Sequence, residues 1–267
     1  VDDSELDEEQ TPDDLFRTAV VVEAGLGLMA LVLGYYIGPS ARNLIPMTEH
    51  WPAIVGGIGL GIVATVPLLL LISLLRRIKH PAIEKLDELS DHPMIGLMLK
   101  MGPWELLAIS LCAGVGEELL FRGWMMPFLA DVFNGYYFDE IPRLSLLPPD
   151  PTAERPWWGW AGFASEMAIE NQDGLSVVDQ WTSWWSTRVG WPMTMAWILS
   201  SVLFGFVHPM TKLYIFITGL MGLYFGALLI LTGNLLTPII AHTLYDAVQL
   251  WSAAEDRDKK TASASAN

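Results

Sequence analysis

The sequence predicts an all-α, polytopic membrane helix bundle of about six spans, with a long Trp-rich loop between spans three and four. Two observations predict it. Of 267 residues, 52% are hydrophobic, and the mean hydropathy is +0.38, too apolar for an ordinary soluble domain. The apolar residues also gather into runs long enough to cross a hydrocarbon core, a length of about 20 residues for a helix.

The runs fall near 19–38, 52–75, 103–130, 191–208, 213–232 and 235–252. Before the first lies the acidic block Asp2 to Asp14, part of the source of the net charge of −15. A block of like charge without aromatics cannot build a core, so 1–18 reads as a disordered arm. The first span is preceded by Arg17 alone rather than by a basic n-region, so it reads as a retained helix and not a cleaved signal. The third run is long enough to be one tilted helix or a helix that breaks and continues. Between spans two and three, 81–89 carries apolar residues at helical spacing and reads as a short helix at the membrane surface. The stretch 134–190 holds Trp157, Trp158, Trp160, Trp181, Trp184 and Trp185. Tryptophan concentrates at membrane interfaces, which places this loop on the bilayer surface. Residues 253–267 form a polar tail, read as disordered after Trp251. The transmembrane domain is therefore 19–252.

Positive charge orients the bundle, because cytoplasmic loops are enriched in Lys and Arg. Placing both termini on one side collects Arg17, Arg76, Arg77, Lys79, Lys85, Lys100, Lys212, Arg257, Lys259 and Lys260 there. The other side receives only Arg42, Arg143, Arg155 and Arg188. Both termini are expected to be cytoplasmic. The acidic balance makes nucleic acid an unlikely partner; the lipid bilayer is the expected one. The lone cysteine, Cys112, excludes an intramolecular disulfide and reads as a small packed residue.

Ionisable residues inside the spans point to chemistry, since burying charge in a bilayer costs at least ~2.5 kcal/mol per group. They come as Glu117, Glu118 and Arg122 in span three, His208 at the end of span four, and His242 with Asp246 in span six. Residues four apart share a helix face. Glu118 and Arg122 should therefore pair and act as support. Glu117, about 100° round the helix, is left without a partner there and is the candidate general base. Asp246, one turn after His242, can orient that imidazole and fix its tautomer. Glu117, His208 and His242 together form either a His₂Glu metal site, for instance for zinc, or a metal-free site that polarises water and binds an oxyanion. Meeting at one depth sets a geometric demand. At ~1.5 Å per residue, Glu117 and His208 lie far along helices that start on opposite sides, so one helix must begin outside the hydrocarbon. A water-filled cavity open toward the cytoplasmic half is expected around them.

These motifs carry a resemblance. Glu117-Glu118-x-x-x-Arg122, Phe204-x-x-x-His208 and His242-x-x-x-Asp246, in that order, resemble the CAAX-protease and bacteriocin-processing (CPBP, or Abi) family of intramembrane endopeptidases. Ala196 to His208 and Gly233 to His242 look like the family's second and third signatures, and the likeness covers roughly 100–252. It implies a helical protein that cleaves peptide bonds of membrane-associated proteins or peptides near the membrane face, of CAAX type or by leader processing. It makes Glu117 the water-activating carboxylate with His208 assisting, and gives His242 and residue 246 the oxyanion. Two departures stand out. Position 246 is Asp where many members have Asn, and an ionised Asp cannot donate to an oxyanion, so orienting His242 is its expected task. The spacing between the first two motifs is enlarged by 134–190. An ion-coupled transporter, or an inactive membrane binding or immunity protein, would use the same intramembrane charges.

Overall fold

A computed structural model describes residues 11–81, 83, 92–135 and 185–265. Among these the regular structure is entirely helical: α1 (Pro12–Tyr36), α2 (Trp51–Leu75), α3 (Pro93–Met98), α4 (Pro103–Glu118), a wider-wound π segment (Leu119–Met125), α5 (Met126–Phe133), a second π turn (Trp185–Val189), α6 (Gly190–Phe206), α7 (Lys212–Thr232) and α8 (Leu236–Ser265). The surface helix expected at 81–89 and all but the ends of the Trp-rich loop lie outside the described residues, as does the arm over 1–10.

Helices α1, α2 and α7 are long and apolar enough to cross a membrane, and α6 is a shorter apolar helix. α1 begins earlier than the apolar run, at Pro12. Thr11 explains the start: its hydroxyl accepts from the Asp14 amide at 3.2 Å while the Asp14 carboxylate accepts from the Thr11 amide at 3.3 Å. That reciprocal cap satisfies two otherwise orphaned donors, so residues 12–18 are helical and not part of a disordered arm. The third run neither breaks nor stays regular. α4, the π segment and α5 follow without interruption, and Pro127, two residues beyond the π segment, lacks the amide hydrogen that a regular ladder would return to Gly123. The C-terminal tail also differs from its expectation, for α8 continues to Ser265. Glu255 pairs with Lys259 at 3.6 Å and accepts from the Trp251 indole at 2.9 Å, both at helical spacing, and Arg257 donates to the Gly96 carbonyl. Such i,i+4 pairs and a docked end hold a polar helix that composition alone reads as tail.

Tight packing converges on the residues just before Glu117. A Cβ at Gly114 would lie 2.3 Å from the Thr243 hydroxyl of α8, and one at Gly116 would lie 2.1 Å from the Glu23 carbonyl of α1. Two glycines two apart in a helix face opposite ways, so α4 is gripped by α8 on one side and α1 on the other. α2 rests on the start of α8 in the same manner, where a Cβ at Gly61 would meet Ile240 at 2.7 Å. Small residues let backbones approach where lipid supplies no hydrophobic drive. The turn between α7 and α8 is fixed by Gly233, left-handed at φ 60°. Asn234 follows, accepting from the Leu236 amide at 3.0 Å and donating to the Ala53 carbonyl at 2.7 Å. Outward faces of α1, α2 and α6 are apolar and exposed, as Val21, Leu28, Val63, Leu70 and Val202 show, which is the surface a bilayer would cover.

Candidate active site

Glu118 and Arg122 sit one helical turn apart on the inner face of the α4 and π segments. Arg122 Nη1 donates to Glu118 Oε1 at 3.0 Å, the pairing expected from their spacing. The guanidinium carbon lies 4.0 Å from the Phe204 ring centroid, with Phe225 and Phe121 at 5.5 and 5.8 Å. Attraction to the negative ring faces offsets part of what a guanidinium so enclosed loses in hydration. Glu118 does more than hold Arg122. The same Oε1 accepts from His242 Nδ1 at 2.9 Å, which joins α4 to α8. Two carboxylates therefore reach His242, Glu118 from across the helices and Asp246 from within α8, as its spacing suggested. Asp246 Oδ2 lies 3.3 Å from the other ring nitrogen, Nε2. Glu118, read from the sequence as paired support with Arg122, reaches His242 as well as Arg122. The physical reason is reach across helices, which i,i+4 spacing within α8 does not report.

The His242 ring is stacked on Phe225, with centroids 4.8 Å apart and planes 17° from parallel, and meets Phe204 edge-on at 6.0 Å. Phe225 thus belongs to the site. In sequence it is an ordinary apolar residue of span five and carries no signal.

Glu117 is held differently. Its Oε1 lies 3.6 Å from His208 Nε2, and its Oε2 lies 3.8 Å from His242 Nε2. Both are ion-pair separations longer than hydrogen bonds. His208 follows the end of α6, where its Nδ1 donates to the Phe204 carbonyl at 2.7 Å. A carbonyl can only accept, so the proton on Nδ1 is fixed and Nε2 is the nitrogen left facing Glu117. The helices thus meet the demand that Glu117 and His208 share one depth. Glu117, Glu118, Arg122, His208, His242 and Asp246 all fall in one cluster, drawn from α4, the π segment, α8 and the residues after α6.

As a metal site the cluster fits poorly. Glu117 turns one oxygen to each histidine, and His242 Nε2 is shared with Asp246. Among the described residues no group of three or more His, Cys, Asp or Glu is arranged to hold a metal ion.

Sequence reasoning passed over one ionisable residue. Glu23 lies in α1 behind Val20, Val21 and Val22, and the charged groups acting on its carboxyl are Glu117, His242, His208 and Asp246. Its signal was present, for a lone carboxylate within an apolar span is rarely incidental.

One family model matches the chain over residues 100–248, and its description is type II CAAX prenyl endopeptidase Rce1-like. Neither a curated protein nor a solved structure gives a match.

Proposed function

Because the chain belongs to the type II CAAX prenyl endopeptidase Rce1-like family, we propose that it hydrolyses peptide bonds with a water activated by Glu117. Membership makes it an integral membrane protein and a CAAX-type intramembrane endopeptidase in general, working in the lipid bilayer on peptide or protein substrates. The observation that carries the finer reading is the approach of Glu117 to His208 and His242, at 3.6 and 3.8 Å, from elements that begin far apart in sequence.

The steps follow from these residues. Glu117 takes a proton from water, and the resulting hydroxide oxygen bonds to the carbonyl carbon of the scissile peptide. His208, anchored through Nδ1–H to the Phe204 carbonyl, steadies the Glu117 carboxylate as an imidazolium, with its second proton on the Nε2 that faces Oε1. The carbonyl oxygen gathers negative charge and faces His242. A ring protonated at both nitrogens gives one hydrogen to Glu118 and the other to this oxyanion. Asp246 holds Nε2 from the far side until substrate arrives. The carbon–nitrogen bond then breaks, and the proton held by Glu117 passes to the departing nitrogen, which leaves a carboxylic acid and an amine. A Glu117 general base needs no metal in this scheme, and none is invoked.

Substrates of this reading are C-terminal CAAX-type segments, or leader segments of the kind removed in bacteriocin processing. The test is cleavage of a farnesylated CAAX reporter peptide and a panel of membrane-anchored peptides by the purified protein in detergent, beside Glu117→Gln. Cleavage by the wild type and none by the folded variant is expected. Equal cleavage by both would overturn the mechanism, and no cleavage of any reporter would favour a binding or transport role. The topology proposed with it has six spans and cytoplasmic termini. A C-terminal reporter active only in the cytoplasm should then report, and silence from well-expressed protein would reverse the orientation.

A further inference from the structure

We propose that Glu23 of α1 is a further residue of the active site, positioning the water that Glu117 deprotonates. The inference rests on the endopeptidase reading above and concerns a helix outside the matched region, residues 100–248.

Three observations lead to it. Glu23 Oε2 is buried and has no hydrogen-bond partner, an arrangement that native structures avoid unless the atom has work to do. The backbone of residue 23 is pressed against the residue preceding Glu117: a Cβ at Gly116 would lie 2.1 Å from the Glu23 carbonyl oxygen. That contact fixes the register of α1 beside the catalytic carboxylate. Finally, the charged groups that act on the Glu23 carboxyl are those of the site, Glu117, His242, His208 and Asp246, and no lysine or arginine is among them. A structural ion pair would need such a cation. Arg122, the buried one, gives its Nη1 to Glu118, lies over phenylalanine rings and keeps its Nη2 unpartnered, with no bond to Glu23.

A carboxylate brought to a reacting water without a lysine or arginine partner has a definite use. Water has two hydrogens, and a single base that accepts one leaves the molecule free to rotate about that bond. If Glu117 accepts one hydrogen and Glu23 the other, the oxygen lone pair is left pointing at the scissile carbonyl. Glu23 accepts a hydrogen bond throughout and neither gains nor loses a proton, so the balance of the hydrolysis is unchanged. Fixing the attacking atom in this way raises the rate of the chemical step and leaves substrate binding alone. Beside it on α1, Val21 and Val22 are exposed, whereas Glu23 is half-buried.

The test compares Glu23→Leu, Glu23→Met and Glu23→Gln with the wild type and Glu117→Gln on the farnesylated reporter, reading kcat, KM and melting temperature. The apolar variants should lose roughly ten- to a hundredfold in kcat, with KM within about twofold. Their melting temperatures should be unchanged or higher, since a buried unpartnered oxygen is removed. Glu23→Gln keeps an acceptor oxygen and should recover most of the lost kcat. The proposal is overturned if the apolar variants keep kcat within about twofold, if Gln does no better than Leu, or if lost activity only tracks lost folded protein. A wild type that cleaves nothing overturns both readings. A cleaving wild type with an inactive Glu117→Gln and unaffected Glu23 variants overturns the role of Glu23 alone.

Discussion

Adjacent carboxylates in α4 live in two unlike regions of one site. The Glu118 side is dry: side-chain exposure is 0% for Glu118, 1% for Arg122 and 5% for His242, and Arg122 and His242 both reach Glu118 Oε1 at hydrogen-bond distance. The Glu117 side is looser and reaches the surface. Exposure rises to 11% for Glu117, 24% for His208 and 30% for Asp246, and the separations lengthen to 3.6 and 3.8 Å. The first region has the geometry of a framework, where Arg122 and His242 both reach Glu118 Oε1 and aromatic rings fill the gaps, while Glu118 Oε2 and Arg122 Nη2 stay buried without hydrogen-bond partners. The second differs in its longer separations and in its exposure, which gives water a route to it. Framework and reaction are divided between neighbours in sequence because successive helical residues point about 100° apart.

The comparison breaks most visibly at Glu117. Glu117→Gln should lower kcat by about 10²–10⁴-fold with little change in melting temperature, because no close hydrogen bond is lost. A variant that unfolds would place Glu117 in the framework. On the other side, Arg122→Leu strands Glu118 as a buried charge with only His242 to answer it. A loss of roughly 3–5 kcal/mol is expected, together with inactivation, and a thermal or denaturant melt in detergent measures it. Unchanged stability would mean that the dry region is not held by its ion pair.

Asp246 lies between the two regions and sharpens the boundary. Asp246→Asn keeps the shape and an acceptor for His242, and with Glu118 still orienting the ring it should retain activity within about tenfold, whereas Asp246→Leu should lose most of it, in line with the ~10–100-fold typical of an orienting partner. Equal and complete loss in both would show that the negative charge itself is required. The smallest effect is expected from the Trp-rich loop. None of the three motifs falls within it, and we propose that it governs access for membrane substrates. Replacing 140–184 by a short Gly/Ser linker spares Trp185, whose indole donates to Thr194 at 3.1 Å. Cleavage of a small soluble peptide should persist in that variant, while cleavage of full-length membrane substrates changes. A folded variant unable to cut the small peptide would bring the loop into the catalytic apparatus.

Much of the site could be read in the chain because charge inside an apolar run is conspicuous. Glu117, Glu118, Arg122, His208, His242 and Asp246 announce themselves in that way, and the Glu118–Arg122 pair follows from spacing alone. Glu23 is as conspicuous, a lone carboxylate in an apolar run, but it has no second ionisable residue at helical spacing to mark it as part of a motif. The extension of α8 to Ser265 was hidden for a different reason: its support comes from side-chain pairs and from Gly96, neither of which a hydropathy window senses.

By itself, then, the sequence determined the helical class, the apolar runs and the chemical identity of the cluster, because hydrophobic periodicity and the cost of buried charge are local properties of the chain. Only the tertiary structure decided which carboxylate serves which histidine. Gly114 and Gly116 let α8 and α1 close on α4 from opposite sides, and that approach carries His242 to Glu118 and sets Glu23 behind Glu117. Such contacts join residues more than 90 positions apart, and their distances depend on backbones meeting without a Cβ between them, a condition that spacing along one helix cannot express.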